Sequence, residues 1–307
     1  MATINIQRIL VPTDFSKYAD QAFRYAADLA KDFGAALSIL HVVPEGDLRE
    51  IYAYPQDIDL DQIIRDQQRI AGERFKQMVA GEASRGVAFE TTIYAGKPFL
   101  EIVNAAKGKK ANLIVMATRG RTGLSHLFMG SVAEKVVRMA PCPVLTMKSR
   151  EEEPSAASLK ISHILCPIDF SDPSKGALQY AIAFAQKYQA KLTLLHVIQM
   201  NIYAVDELHS GVIPAEMLGE LGRKATAELD TLASGTEAAS LDVSTKVAHG
   251  VPFLQILAEA KESNVDLVVM ATHGRTGLRY ALMGSVAEKI VREADCPVLT
   301  VGMQESS

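Results

Sequence analysis

The sequence predicts two α/β domains in tandem, each built on an open, doubly wound parallel sheet of five strands. Three observations lead to this prediction. The length of 307 residues suits two ordinary domains better than one. Residues 6–16 (IQRILVPTDFS) recur as residues 161–171 (ISHILCPIDFS), which indicates a duplicated domain, because solenoid repeats run to roughly 20–50 residues. Within each half, short apolar runs alternate with segments of helical periodicity.

The first half begins with a strand and a helix. Residues 8–13 contain a short apolar run that meets Pro12, which predicts a strand with an abrupt end. Apolar residues then recur at helical spacing over residues 19–33, and Gly34 follows them as a helix C-cap. Residues 37–43 predict the second strand.

The remaining elements of the first half continue the alternation. Residues 45–60 have little periodicity and are predicted to form an extended loop. Helices are expected at residues 61–85, 98–107 and 131–139, the second of them with Pro in its first turn. Strands are expected at residues 87–94, 113–117 and 144–147.

These elements restrict the topology of each sheet. Near-continuously apolar strands separated by helices indicate a parallel sheet that is covered on both faces. Right-handed crossovers leave few strand orders, and we expect 3-2-1-4-5, with 2-1-3-4-5 as the alternative. Ligands bind such sheets at the carboxyl ends of the strands, beside strand 1, where the winding direction changes. The domains are expected at residues 1–149 and 160–307, joined by an exposed linker at residues 150–159.

Bulk composition excludes several classes of protein. No apolar run reaches the ~18 residues of a membrane span, and the N-terminus lacks a signal-peptide layout, so a cytoplasmic location is expected. A net charge of −4 and the absence of Trp argue against a nucleic-acid surface. Cys142, Cys166 and Cys296 are expected to be buried reduced thiols, with a redox or intermolecular role as the alternative.

A Gly- and Arg-rich loop follows the fourth strand of each half and leads into a helix at Gly130-Ser131 or Gly284-Ser285. Its backbone N–H groups and the partial positive charge of the helix N-terminus favour phosphate oxygens. The Arg and Ser side chains of this segment would add charge-assisted and hydroxyl hydrogen bonds. These features predict an anion site.

A purely structural interpretation of the same segment stays open. Ser131 with Glu134, and Ser285 with Glu288, match the S-x-x-E capping box, which stabilises a helix start without any ligand. From the loop alone, capping and phosphate binding are both compatible with the sequence.

An aspartate follows the first strand of each half, at Asp14 and Asp169. Such a residue often caps the next helix, and Asp14 or Ser16 is expected to do so here. A carboxylate at the switch point of a parallel sheet is also well placed to accept hydrogen bonds from ribose hydroxyls or an adenine amino group. Together with the loop opposite, it predicts a nucleotide site, although neither a P-loop nor a G-x-G-x-x-G motif is present.

These motifs together resemble the universal stress protein family, here as a tandem of two domains. The resemblance rests on ILVPTDFS and ILCPIDFS at residues 9–16 and 164–171, and on LHV, GRTG, GSVAEK and CPVLT in both halves. It implies Rossmann-like domains and a stress-response function in which adenine nucleotide (ATP, AMP or ADP, with or without Mg²⁺) is bound as a regulatory ligand. It implies no structural metal.

Members of that family that bind ATP carry a pattern G-x2-G-x9-G-[ST]. Its second and third glycines match Gly120 and Gly130 in the first half, and Gly274 and Gly284 in the second. Ala117 and Ala271 replace the first glycine, which is expected to weaken binding if the backbone there needs a positive φ. The nucleotide-binding residues that the resemblance implies are Pro12, Thr13, Asp14, Val42, Ala117, Arg119, Gly120, Arg121, Gly130, Ser131 and Val132 in the first half, and Pro167, Ile168, Asp169, Val197, Ala271, His273, Gly274, Arg275, Gly284, Ser285 and Val286 in the second.

Catalysis is the weaker hypothesis. The sequence contains no Ser-His-Asp order, paired-carboxylate motif or metal-ligand spacing, so slow ATP hydrolysis is the most that we expect. His41 and His196 end the second strands and are expected to be packed and hydrogen bonded, with a metal ligand or general base as the alternative. The preferred function is a nucleotide-binding regulatory module with an unknown protein partner, and its rival is a scaffold that binds no nucleotide.

The resemblance also bears on assembly. Single domains of the family usually pair through their last strand, which implies that this chain is an intramolecular pseudo-dimer joined at strands 144–147 and 298–301. A homodimer of whole chains is a further possibility that the sequence leaves open.

Overall fold

The computed structural model describes residues 4–44, 60–83, 86–118, 129–148, 159–199, 215–235, 241–274 and 283–302. The chain divides into two compact units, whose main bodies are Asn5–Leu159 and Lys160–Met303. The loop predicted at residues 45–60 lies outside the described residues up to residue 59, and so does the predicted linker apart from Leu159. Among the described residues, no helix is long and apolar enough to cross a membrane.

The first unit alternates strands and helices in the predicted order. Its elements are β1 (Arg8–Thr13), α1 (Lys17–Phe33), β2 (Ala36–Pro44), α2 (Leu60–Ala83), β3 (Phe89–Gly96), α3 (Pro98–Gly108), β4 (Leu113–Ala117), α4 (Ser131–Met139) and β5 (Val144–Met147).

The second unit repeats the same order of elements. They are β6 (His163–Pro167), α5 (Asp172–Tyr188), β7 (Lys191–Ile198), α6 (Ala215–Ala233), β8 (Val243–His249), α7 (Pro252–Glu262), β9 (Leu267–Ala271), α8 (Ser285–Glu293) and β10 (Val298–Val301).

The strand order within each unit confirms the predicted doubly wound sheet. In the first unit β3-β2-β1-β4-β5 are neighbours, and in the second β8-β7-β6-β9-β10, with every adjacent pair parallel. The order is therefore 3-2-1-4-5, not 2-1-3-4-5. The central strands contain buried apolar runs, as strands covered by helices on both faces do: Ile9, Leu10 and Val11 of β1 have no exposed surface.

The cysteines are free thiols, as predicted for reduced side chains. Cys166 and Cys296 are buried and Cys142 is half-buried. Burial raises the pKa of Cys142 to about 12 and raises the pKa of Cys166 further. Because the thiolate is the reactive form, neither of these two thiols is activated for redox chemistry.

The first helix of each unit ends in the same left-handed backbone conformation, with different residues. Gly34 closes α1 with φ of 66°, and Gln189 closes α5 with φ of 52°. A residue with a Cβ is strained in this region, whereas Gly is not. The second unit therefore retains a strained C-cap that the first unit avoids.

Exchanging these two caps is expected to change stability in opposite directions. Gln189→Gly should raise the free energy of unfolding by up to about 1 kcal/mol, and Gly34→Gln should lower it by about as much. Space does not interfere, since a Cβ at Gly34 would meet no atom within 4 Å. Urea unfolding followed by circular dichroism measures both variants, and a lower midpoint for both would contradict this explanation.

Candidate functional site

A cavity of about 740 Å³ opens at the carboxyl ends of β6 and β9, the neighbouring strands of the second unit. The turn after β6 contributes Asp169 and Phe170 to its lining, and the segment after β9 contributes His273 and Gly274. The pairing of β6 with β9 brings these two turns together, since parallel strands end at the same edge of a sheet. We call this space the β6–β9 cavity.

The β6–β9 cavity collects the predicted site residues of the second half. All of them line it except Arg275, which lies outside the described residues. The lining residues are Pro167, Ile168, Asp169, Val197, Ala271, His273, Gly274, Gly284, Ser285 and Val286.

Asp169 and Gly274 meet across the cavity. A Cβ built on Gly274 would lie 2.5 Å from Asp169 Oδ2, a distance that real side chains do not tolerate. The other oxygen, Oδ1, accepts hydrogen bonds from the backbone N–H of Ser171 at 3.0 Å and from its hydroxyl at 2.5 Å. The carboxylate is therefore oriented by its own turn, and glycine at position 274 is required for the close approach.

The N-caps of α1 and α5 are Ser16 and Ser171, and not Asp14 and Asp169. Ser16 Oγ accepts from the N–H of Ala19 at 3.2 Å, and Ser171 Oγ accepts from the N–H of Ser174 at 3.3 Å. Asp14 Oδ1 instead accepts from the backbone N–H of Ser16 at 2.9 Å, and Ser16 lies just before the first residue of α1, Lys17. The capping role that Asp14 shared with Ser16 in the sequence analysis thus falls to Ser16 alone.

The capping box, which the sequence left open as the structural alternative at Ser131 and Ser285, is not formed. Helices α4 and α8 have Gly130 and Gly284 as N-caps, and neither start has a side-chain cap hydrogen bond. The physical reason is that the glycine carbonyl accepts the first hydrogen bond of each helix, from the N–H of Glu134 or Glu288, so the glycine is the N-cap and the serine is the first helical residue. The glycine N–H donates to the carbonyl of Thr118 or Thr272 at 2.8 Å. A Cβ on either glycine would lie 3.2 Å from that carbonyl oxygen.

The start of α8 consequently presents backbone donors to the β6–β9 cavity. Ser285, Val286 and Ala287 line it, and they carry the first N–H groups of the helix, which have no acceptor within the helix. Glu288 is the first residue whose N–H is bonded within the helix, to Gly284 at 3.0 Å. This arrangement favours an anion.

The first unit shows the same framework with fewer described residues. Pro12 and Thr13 are the last residues of β1 and Asp14 follows them, and Ala117 ends β4, which pairs with β1. Val42 lies on β2, and Gly130, Ser131 and Val132 begin α4. Arg119, Gly120 and Arg121 lie outside the described residues.

The family model of the universal stress protein family matches residues 5–148 and again residues 160–302. This chain belongs to the universal stress protein family.

Relatives and solved structures agree with this assignment. A universal stress protein of Mycolicibacterium smegmatis is 28% identical over 305 residues, which are 95% of this chain and 96% of that protein. Universal stress protein MJ0531 of Methanocaldococcus jannaschii is 35% identical over 150 residues, 48% of this chain and 85% of that protein. The crystal structure of a universal stress protein from Archaeoglobus fulgidus matches with a TM-score of 0.73 at 23% identity, over 97% of this chain and 98% of that one. The last of these likenesses shows the shared fold.

The alanines that replace a family glycine are compatible with their backbone. Ala117 and Ala271 end β4 and β9, and neither is among the described non-glycine residues with positive φ. The Cβ of an alanine is unstrained in such a conformation. The expected weakening of binding through backbone strain therefore has no basis at these two positions.

The lining also contains residues that the sequence of this universal stress protein did not indicate, and three of them bear on its chemistry. Phe170 has an unusual φ of 66° and lines the β6–β9 cavity, and so do Lys224 and Glu228 of α6. Lys224 and Glu228 are one helical turn apart on an amphipathic helix, where charged residues ordinarily indicate only a solvated face. No local pattern in the sequence distinguishes them from other surface charges.

A second acidic residue of the first half, Asp20, interacts electrostatically with Asp14. Asp20 of α1 is half-buried, and its pKa is raised above the ordinary 3.8. Burial is the main cause; the Arg24 guanidinium lowers the pKa, the Asp14 carboxylate raises it, and Arg74 lowers it. The second half has Lys175 at the equivalent place.

This raised pKa predicts that Asp20→Asn stabilises the protein at neutral pH. An acid whose pKa is higher in the folded state than in the unfolded state stabilises the fold at any pH below the unfolded-state pKa. That contribution is lost as the pH rises through the folded-state pKa. At pH 7 the ionised carboxylate therefore costs stability, and the neutral amide removes this cost. Urea midpoints should be higher for the variant at pH 7, with a difference that shrinks toward pH 4. A difference that grows on acidification would contradict the sign.

Proposed function

We propose that this universal stress protein binds an adenine nucleotide as a regulatory ligand, at the β6–β9 cavity of its second half and at the equivalent place in its first half. One observation carries the proposal: a single cavity has a fixed carboxylate, Asp169, at one side and an uncapped helix N-terminus at the other. A nucleotide presents the complementary pair, hydroxyl and amino donors at one end and phosphate acceptors at the other. The volume of about 740 Å³ is within the range of small-molecule sites.

The nucleoside end would lie against Asp169 and the end of β7. A carboxylate accepts hydrogen bonds from ribose hydroxyls or an adenine amino group, and charge-assisted bonds of this kind are strong. Ile168, Val197 and Ile198 add apolar surface to the lining, on which a base or ribose would pack. Burial of apolar area stabilises such a complex by about 25 cal/mol per Å².

The phosphate end would lie at the start of α8. The N–H groups of residues 285–287 and the helix dipole favour phosphate oxygens, and Ser285 contributes a hydroxyl. Gly274 leaves room for close approach, because its backbone carries no side chain into the cavity. Any accompanying Mg²⁺ would be held through the phosphates of the nucleotide and would supply positive charge there.

A regulatory role follows from the chemistry of such a site. It has donors and an acceptor for binding, and among the residues that the structure describes no group of three or more His, Cys, Asp or Glu side chains could hold a metal ion. A ligand shifts the equilibrium between two states of a protein by its difference in affinity for them. Nucleotide would thus change the affinity of this chain for a protein partner.

The test is isothermal titration of ATP into the unmodified chain and into Gly274→Ala. We expect the unmodified chain to bind ATP, and the variant to lose one site or to have a site weakened by about tenfold or more, which is about 1.4 kcal/mol. The reason is steric, since the added Cβ would push the Asp169 carboxylate out of place.

Gly176→Ala is the matched control for this test. It adds the same methyl group to the same unit, on α5, where a Cβ would meet no atom within 4 Å. Its ATP binding should equal that of the unmodified chain. Absence of ATP binding to the unmodified chain would refute the proposal and favour the scaffold, and equal binding by both variants would refute the placement of the site.

A further inference from the structure

Each half contains a histidine at the carboxyl end of its second strand, beside the aspartate turn. We use this name for residues 13–16 in the first half and residues 168–171 in the second. His41 is the register partner of Thr13 on the adjacent strand β1. His196 occupies the same place on β7, next to β6, and also lines the β6–β9 cavity.

The first contact of each histidine is with the residue before the aspartate. His41 Nδ1 lies 2.7 Å from the carbonyl oxygen of Thr13, and His196 Nδ1 lies 2.7 Å from that of Ile168. A carbonyl oxygen only accepts, so Nδ1–H is the donor in both halves. This bond fixes the backbone on the N-terminal side of Asp14 and Asp169.

The second contact is with the residue after the aspartate. The Phe15 ring lies 4.6 Å from the His41 ring, and the Phe170 ring lies 4.5 Å from the His196 ring, both tilted. These phenylalanines have φ of 59° and 66°. A bulky residue rarely adopts this conformation and keeps it only where its surroundings compensate for the strain.

One imidazole thus contacts both neighbours of each aspartate. The aspartate side chain closes the turn from within, since Asp14 Oδ1 and Asp169 Oδ1 accept from the N–H of Ser16 and Ser171 at 2.9 and 3.0 Å. The carboxylate direction therefore depends on a strained backbone conformation that the histidine contacts stabilise.

We propose that His41 and His196 are positioning residues, which hold Asp14 and Asp169 in the orientation that receives the nucleoside. This inference rests on the proposed nucleotide site and assigns the histidine of the LHV motif a role in it. It makes the histidines neither metal ligands nor general bases.

The two halves differ in the additional hydrogen bond that each aspartate turn contains. In the first half Thr13 Oγ1 also accepts from the N–H of Phe15 at 3.0 Å, whereas Ile168 of the second half has no hydroxyl to offer. The first aspartate turn therefore has this hydrogen bond in addition to the one made by Asp14. The second aspartate turn has a different additional hydrogen bond, from the Ser171 hydroxyl to Asp169 Oδ1 at 2.5 Å.

The experiment is a double-mutant cycle on the full chain, with ATP affinity measured by isothermal titration calorimetry. One arm is His41→Phe with His196→Phe, which keeps a ring against each phenylalanine and removes the hydrogen bond. The other arm is Asp14→Asn with Asp169→Asn, which keeps one acceptor oxygen so that binding remains measurable. The quadruple variant completes the cycle, and inorganic tripolyphosphate serves as a ligand without a nucleoside.

Positioning predicts strong coupling between the two arms. The Phe substitutions should weaken ATP binding about tenfold in the unmodified background and less than about twofold in the Asn background. Tripolyphosphate affinity should stay unchanged in all variants, because the phosphate end does not involve the aspartate turn. A merely structural role of the histidines would lower both affinities together, in both backgrounds.

Three outcomes distinguish the possibilities. An additive cycle, or an equal loss of tripolyphosphate affinity, overturns the inference while the proposed function stands. Absence of ATP binding to the unmodified chain overturns the proposed function and this inference with it. If the Phe variants do not fold, His41→Asn with His196→Asn replaces them in the same cycle, since asparagine keeps an N–H donor without the ring, and the same criterion of coupling applies.

Discussion

The pairing of β6 with β9 is the constraint on which the candidate site depends. Because both strands run in the same direction and are neighbours, the residue that follows each one emerges at the same edge of the sheet. Asp169 and Gly274 are far apart in sequence, yet a Cβ on Gly274 would lie 2.5 Å from the carboxylate. In the first half the same strand order places Asp14, which follows β1, and Ala117, which ends β4, at the same edge of the sheet. The strand order thus brings the two segments together, and the other features of the site determine only their detailed geometry.

Glycine residues and a strained backbone conformation maintain the close approach of these segments locally. Gly284 lets the start of α8 approach the Thr272 carbonyl, and the resulting helix begins without a side-chain cap, so its first N–H groups line the cavity. Across the cavity, Phe170 holds a strained backbone against His196. A helix cap or a relaxed turn would be locally more stable. Departures of this kind from local preference are typical of functional sites.

Much of the fold was predictable from the sequence, because the central strands of each unit are buried apolar runs and helices such as α1 have a clear period. The strands β3 and β8 are more polar and more exposed. The order 3-2-1-4-5 was predicted, and so was the meeting of the two motifs after strands 1 and 4. The capping-box alternative at Ser131 and Ser285 is not realised, since the local pattern S-x-x-E cannot reveal that the preceding glycine is the N-cap and also bonds to a distant carbonyl. The left-handed Phe170 and the cavity-lining Lys224 escaped prediction for a similar reason. Both depend on packing against elements remote in sequence.

The central claim is that the aspartate turn and the start of α8 are two ends of one nucleotide site. Hydrogen–deuterium exchange with and without ligand tests it most directly. We expect ATP to slow exchange both at residues 168–171 and at residues 285–287, and inorganic tripolyphosphate to slow it only at residues 285–287. ATP that binds the chain and leaves exchange in both segments unchanged would contradict the account.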